Sequence, residues 1–147
     1  MGARIEWDND LGEGDLAYDN GVIAQGGELT TACVLSLHSD APALDGDRVP
    51  PGAARRGWCL DGYALDGDVW GSRLWLLVPG RARKAAPQRA RQMAEDALEG
   101  WMGSDGVAES VAVAVDASIE GRIGLSVEVQ RPGRVPPDLI EAWSVPA

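Results

Sequence analysis

Two stretches toward the C-terminal end limit the fold of this chain more than anything else in it. Val107, Val111, Val113 and Val115 alternate with Ala and Ser, and after the turn signal Glu120-Gly121 the residues Ile123, Leu125, Val127 and Val129 repeat the alternation. Side chains on a strand point to opposite faces with a period of two, so each stretch is a strand with one apolar face. β-Branched residues fit that pleated backbone, and the pair predicts a long antiparallel hairpin. A sheet with one apolar face has to bury it against another layer.

Ala85 to Met102 supplies that layer. Ala90, Met93 or Ala94, Ala97, Leu98 and Trp101 form one stripe at helical spacing, with Pro87 in the first turn and Gly103 to Gly106 as the stop. A second, shorter helix is predicted from Glu28 to Ser39, where Leu29, Ala32, Cys33, Leu35 and Leu37 recur and Thr30 or Thr31 is placed to cap the start. Ala3 to Trp7 reads as a strand running into a turn at Asp8 to Gly12, and Asn20-Gly21 marks a hairpin between Asp15 and Ala24. Leu139, Ile140, Trp143 and Val145 add a last strand beyond Pro136-Pro137. Ala41 to about residue 70, rich in Pro, Gly and Asp, is a long surface loop, and the apolar run from Gly71 to Val78 is too short to assign to strand or helix. The fold class is α+β: a mostly antiparallel sheet with a long C-terminal hairpin, packed by two main helices.

At 147 residues and 45% hydrophobic, the chain has the size of one domain spanning 1–147, able to bury a core without disulfide or metal. Cys33 and Cys59 therefore read as free thiols of a reducing compartment. The start, Met1 to Trp7, has no basic segment followed by an apolar run, and no stretch reaches the roughly 18 apolar residues of a membrane span, so a soluble, intracellular chain is expected. A net charge of −10 argues against nucleic acid and anionic membranes as partners. The charge is uneven, with six basic and no acidic residues between 71 and 94. That island suits either a solvated face or an acidic partner.

Chemistry is harder to find. Glu95 and Glu99 lie one helical turn apart and point the same way, whereas glycoside hydrolysis needs two carboxyls facing each other across a sugar. Asp61, Asp66 and Asp68, with Asp45 and Asp47 upstream, suggest a calcium loop, but Tyr63 and Leu65 stand where ligands belong. Cys33 and His38, five residues apart on one short helix, point to different sides, and no glycine motif opens a helix after a strand. No catalytic residue, metal ligand or cofactor site is assigned, and no small-molecule substrate is expected. Contacts with proteins remain. Six tryptophans and no phenylalanine are present; Trp58, Trp70 and Trp75 surround the long loop, and Trp58 beside Arg55-Arg56 is a docking candidate. The hairpin from Val111 to Arg131 also offers an edge that a partner strand can extend.

The order of these pieces resembles the Mu-like phage baseplate protein family, usually called gene product 46. The resemblance is carried by Gly14-Asp15-Leu16-Ala17, Leu29-Thr30-Thr31-Ala32 through Leu37 with Ser39-Asp40, Arg55-Arg56-Gly57-Trp58, and Gly71-Ser72-Arg73-Leu74-Trp75-Leu76-Leu77. Downstream it continues through Ala94 to Trp101, Asp105-Gly106-Val107, Gly121 to Leu125, Arg131-Pro132 and Trp143. Departures are Cys59 where a second tryptophan is usual, His38 where an aromatic is usual, and the proline-rich Asp45 to Pro51. More distantly the chain is similar to the wedge family of T4 gene product 25, whose Glu-Pro-Arg signature is replaced here by Asp105-Gly106-Val107.

What the resemblance implies is a subunit without turnover in a contractile tail baseplate, a virion component assembled in the bacterial host cytoplasm. Its implied partners are other baseplate wedge proteins, the tail sheath protein and the tail hub and tube proteins, and its implied task includes templating sheath attachment. On this reading helix Ala85 to Met102 and the Arg55 to Trp75 region, with Arg55, Arg56, Trp58, Arg73 and Trp75 as the expected contact residues, meet wedge partners, and the hairpin Val111 to Arg131, with Val127 and Val129, faces the sheath. On that placement, Val127→Pro blocks sheath initiation and leaves the monomer soluble. The rival readings are a lysozyme-like cell-wall hydrolase of the tail and a calcium-stabilised adaptor.

Overall fold

The computed structural model describes residues 2–8, 10–11, 13–59, 61–63, 69–77, 85–102, 106–118 and 122–146, the last five by backbone only. The chain opens with β1 (Ile5–Asp8) paired antiparallel to β2 (Glu13–Leu16), in the register Ile5 opposite Leu16. The Asp8 carboxylate turns the chain between them by accepting the amides of Asp10 and Leu11 at 2.8 and 2.9 Å. A smaller hairpin follows, β3 (Tyr18–Asp19) with β4 (Val22–Ile23). Its turn residues Asn20 and Gly21 have φ of 51° and 79°, the left-handed pair a tight two-residue hairpin turn requires. The expected hairpin from Asp15 to Ala24 is therefore shorter, because Asp15 and Leu16 pair back to β1.

α1 (Glu28–His38) buries Cys33, Val34 and Leu37, while Leu35, expected inside, is 36% exposed. Neither threonine caps it: Gly27 is the N-cap, and Thr31 Oγ1 instead accepts the Ile5 amide at 3.0 Å, tying α1 to β1. α2 (Ala86–Leu98) carries Pro87 in its first turn and buries Ala86, Ala90, Met93, Ala94 and Leu98. The expected helix ends earlier than Met102, because Glu99–Trp101 tightens into a 3-10 turn. Leu74–Leu76 is a 3-10 turn as well, with Leu74, Leu76 and Leu77 buried. It is held by a short parallel contact of Asp40 with Ser72, where Ser72 donates to Ser39 O and Ala41 to Ser72 O, each at 2.8 Å. Gly71, with φ of 97°, permits that approach, since a Cβ there would stand 2.5 Å from Ser39 O.

The main sheet is β5 (Ser110–Asp116), β6 (Arg122–Gln130) and β7 (Asp138–Pro146), all antiparallel in the order β5-β6-β7. The two helices cover one face. Val113, Ile123, Leu125, Val127, Val129 and Ile140 meet Cys33, Leu37, Ala90, Met93, Ala94 and Leu98 in one core. The chain is thus α+β with the expected C-terminal hairpin, and the turn at Glu120-Gly121 lies outside the described residues. The long loop is less superficial than its composition suggests, because Ala41 and Ala43 are buried and Asp61–Tyr63 forms a 3-10 turn.

The expectation for Val127 needs correction. β6 is paired on both sides, Val127 opposite Val113 and Ile140, and the Val127 side chain is fully buried. Proline there removes a donor from a central strand and forces a ring into the core. Val127→Pro is expected to abolish the folded monomer, seen as loss of the cooperative urea transition and of soluble protein; a soluble, cooperatively unfolding variant would contradict this packing.

Candidate interaction surfaces

The arginines and tryptophans around the long loop are organised by carboxylates. Asp61 accepts the Trp58 amide at 3.0 Å and the Trp70 amide at 3.1 Å, so one side chain fixes both ends of the segment between them. The two indoles stand 6.0 Å apart, tilted by 38°, and each remains more than 40% exposed. The two rings form an exposed aromatic pair on the surface. Arg56 pairs with Asp40 at 2.6 Å, and its guanidinium lies 4.6 Å from the ring centroid of Trp75. Trp75 donates from Nε1 to Ala41 O at 2.8 Å and packs against the core. Arg55 donates to Ala43 O at 2.9 Å and reaches Asp45 at 3.4 Å. Arg56 and Trp75 are therefore in contact, Trp58 pairs with Trp70, and Arg55 stays on the loop.

Arg73 and the two valines have other roles. Arg73 is mostly buried and binds Asp47 at 3.1 Å and Asp96 at 2.5 Å, joining the loop to α2. Burial disfavours the charge of Asp47, but the Leu44 amide and the Arg73 guanidinium outweigh it and hold the carboxyl below the usual range. Val127 and Val129 are fully buried, so their side chains belong to the core and not to a contact surface. Of the aspartates read as candidate calcium ligands, Asp47 is held by Arg73 and Asp61 by backbone amides, Asp45 is fully exposed with Arg55 at 3.4 Å, and Asp66 and Asp68 lie outside the described residues. Glu95, with its side chain 42% exposed, pairs with Arg91 at 3.2 Å.

His38 stacks on Trp7 with ring centroids 3.6 Å apart, and its buried Nε2 finds no hydrogen-bond partner among the described residues. Desolvation pulls its pKa down to about 4, so the ring is neutral at ordinary pH. The stack gives the imidazole the packing role of an aromatic ring. Cys33 is a buried thiol pushed up to about 12 by desolvation, and Cys59 is exposed; both are free.

The sheet has two edges. β7 is blunted by Glu141, by a register irregularity opposite Ile123 and Gly124, and by Pro146 at its end. β5, Ser-Val-Ala-Val-Ala-Val-Asp, has no Pro, Lys, Arg or bulge, and among the described residues it pairs with β6 alone. Ala112 and Ala114 are exposed on its outer face. Natural proteins protect such an edge or use it to bind a strand. The sequence carries this signal in an uncharged run of small and β-branched residues, but which strand is central emerges only once β7 is placed.

A model of the phage protein GP46 family matches residues 29–135. The chain belongs to this family. Its match covers α1, the loop, α2 and the β5–β6 hairpin. Among family relatives, the chain is 38% identical over 129 residues to the baseplate protein gp46 of Escherichia phage Mu, covering 87% of this chain and 86% of the relative. It is 35% identical over 109 residues to the Mu-like prophage FluMu protein gp46 of Haemophilus influenzae, covering 74% and 71%.

Two predictions come from Asp47 and His38, whose pKa values are both lowered in the fold. Arg73→Met strands Asp47 and is expected to destabilise the fold by about 1–3 kcal/mol at neutral pH in urea unfolding. Because the folded pKa of Asp47 is depressed, its contribution is present above the ordinary carboxylate value of 3.8 and disappears as pH falls through the lowered folded value, so the variant's deficit should shrink there. For His38 the folded pKa is below the unfolded 6.5, so the unfolded chain takes up the proton first. Stability is full above pH 6.5 and falls toward about 4, by up to about 1.4 kcal/mol per pH unit. His38→Phe should flatten that slope in urea titrations repeated across the window; an unchanged slope would assign it to other groups.

Proposed function

We propose that this chain is a non-enzymatic structural subunit of a phage-type tail baseplate that works by holding other tail proteins. The observation that carries this reading is the 38% identity, over most of both chains, to a protein named as a baseplate component. The structure is consistent with a role in binding. It offers two exposed features suited to protein contacts, the Trp58–Trp70 pair and the open edge of β5.

On this reading the loop face, with Arg55, Arg56, Trp58 and the half-buried Trp75, meets neighbouring wedge subunits around the tail hub and tube. Arg73 contributes by fixing the loop to α2 and does not touch the partner. The β5 edge receives an extended segment of the sheath protein, so that the first sheath ring is laid down by strand addition. The contact expected at Val127 and Val129 thus moves to the neighbouring strand, while those two valines keep the sheet rigid. The protein acts in the virion after assembly in the host cytoplasm, without cofactor or substrate.

The test is electron microscopy of particles from a host lacking the gene, complemented with wild-type protein or with Ala112→Lys/Ala114→Lys. Both alanines are exposed, and a lysine in place of Ala112 would face Glu128 across the ladder, so the monomer should keep its fold. We expect tails without baseplate and sheath in the deletion, and sheath defects with the double variant. Complete tails that fail only to breach the cell wall would refute the structural role and support a hydrolase.

A further inference from the structure

We propose that the strand received by the β5 edge is a basic one, an extended segment whose lysines or arginines reach Glu95 and Glu99 of α2. The inference rests on the edge reading above and adds the chemistry of the partner. Beside the first residues of β5 runs a groove of about 310 Å³, lined by Gln92, Glu95, Asp96, Glu99, Met102 and Val111. No residue of β6 lines it, so it is bounded by α2, the turn that follows α2, and β5. Met93, Ala94 and Leu98 point α2 into the core, and this leaves the carboxylates to flank the strand.

The charges of this groove do not cancel. Asp96 is held by Arg73 and Gln92, and Glu95 shares Arg91, but Glu99 has no cation among the described residues. The opposite face adds Asp116 on β5 and Glu128 opposite Ala112. A strand joined to β5 would lie about 4.8 Å from it and place alternate side chains beside α2. Acidic side chains there would meet like charge. Lysine or arginine stems can lie along Val111 and Met102 while their cationic ends reach the carboxylates. The open ladder supplies the backbone hydrogen bonds, and the carboxylates select the charge of the partner.

The test uses the full-length chain and two labelled synthetic peptides, one alternating valine with lysine and the other valine with glutamate. Binding is read by fluorescence anisotropy and by the amide resonances of Ser110–Asp116. We expect the lysine peptide to shift those amides and to bind at least about ten-fold tighter at low salt, an advantage lost toward about 0.5 M salt, where the screening length is on the order of a few ångströms. Glu95→Gln/Glu99→Gln should reduce the preference without preventing binding. Equal affinity for the two peptides, with the β5 amides shifting, would overturn the charge preference and leave the edge reading in place. Failure of both peptides to move the β5 amides would overturn both.

Discussion

The fold depends on burying one face of β6. Ile123, Leu125, Val127 and Val129 are each 1% exposed or less, and the strand that carries them is hydrogen-bonded on both sides. Both helices are placed by the need to cover this row. α2 meets it with Met93, Ala94 and Leu98, and α1 with Cys33 and Leu37, so the two helices lie side by side on the sheet. A core packed this closely tolerates neither a missing ladder donor nor an added ring.

The surface around this core is fixed by single carboxylates that each bind two distant groups. Asp61 joins Trp58 to Trp70 through their amides, and Asp47 joins the loop to Arg73, which continues to Asp96 on α2. A loop of such length loses much conformational freedom when ordered, and these few contacts hold its shape. They present the tryptophan pair on a defined surface. The acidic composition of the loop is thus structural as much as it is a source of net charge.

Much of the architecture was legible in the sequence because periodicity carries it. The alternation from Val107 to Val115 and from Ile123 to Val129 marks the hairpin, although Val107 lies before β5, the stripe from Ala90 to Trp101 marks α2, although its last turn is 3-10, and Asn20-Gly21 marks a tight turn. The site was legible only in part. Trp58 and Arg56 stand out by residue type, but Arg73, which reads as a contact residue, is a brace between two acids. Val127 and Val129 read as a contact face because a hairpin alone leaves both strands as edges. The pairing of β7 to β6 removes one of those edges and moves the open one to β5.

The sequence by itself determined the class of the main helices and strands and the family, since both rest on local pattern and on the order of motifs along the chain, but not the two 3-10 turns at Asp61–Tyr63 and Leu74–Leu76. Tertiary structure decided which strand lies in the middle, which charges find partners and which aromatic rings stay at the surface. Those outcomes depend on residues far apart in sequence, Arg73 with Asp96 and Trp7 with His38 among them. Hydrophobic periodicity says that a face must be buried but not by what, because the apolar effect has no direction. Hydrogen bonds and ion pairs do have direction, and their geometry is set only when the chain has closed on itself.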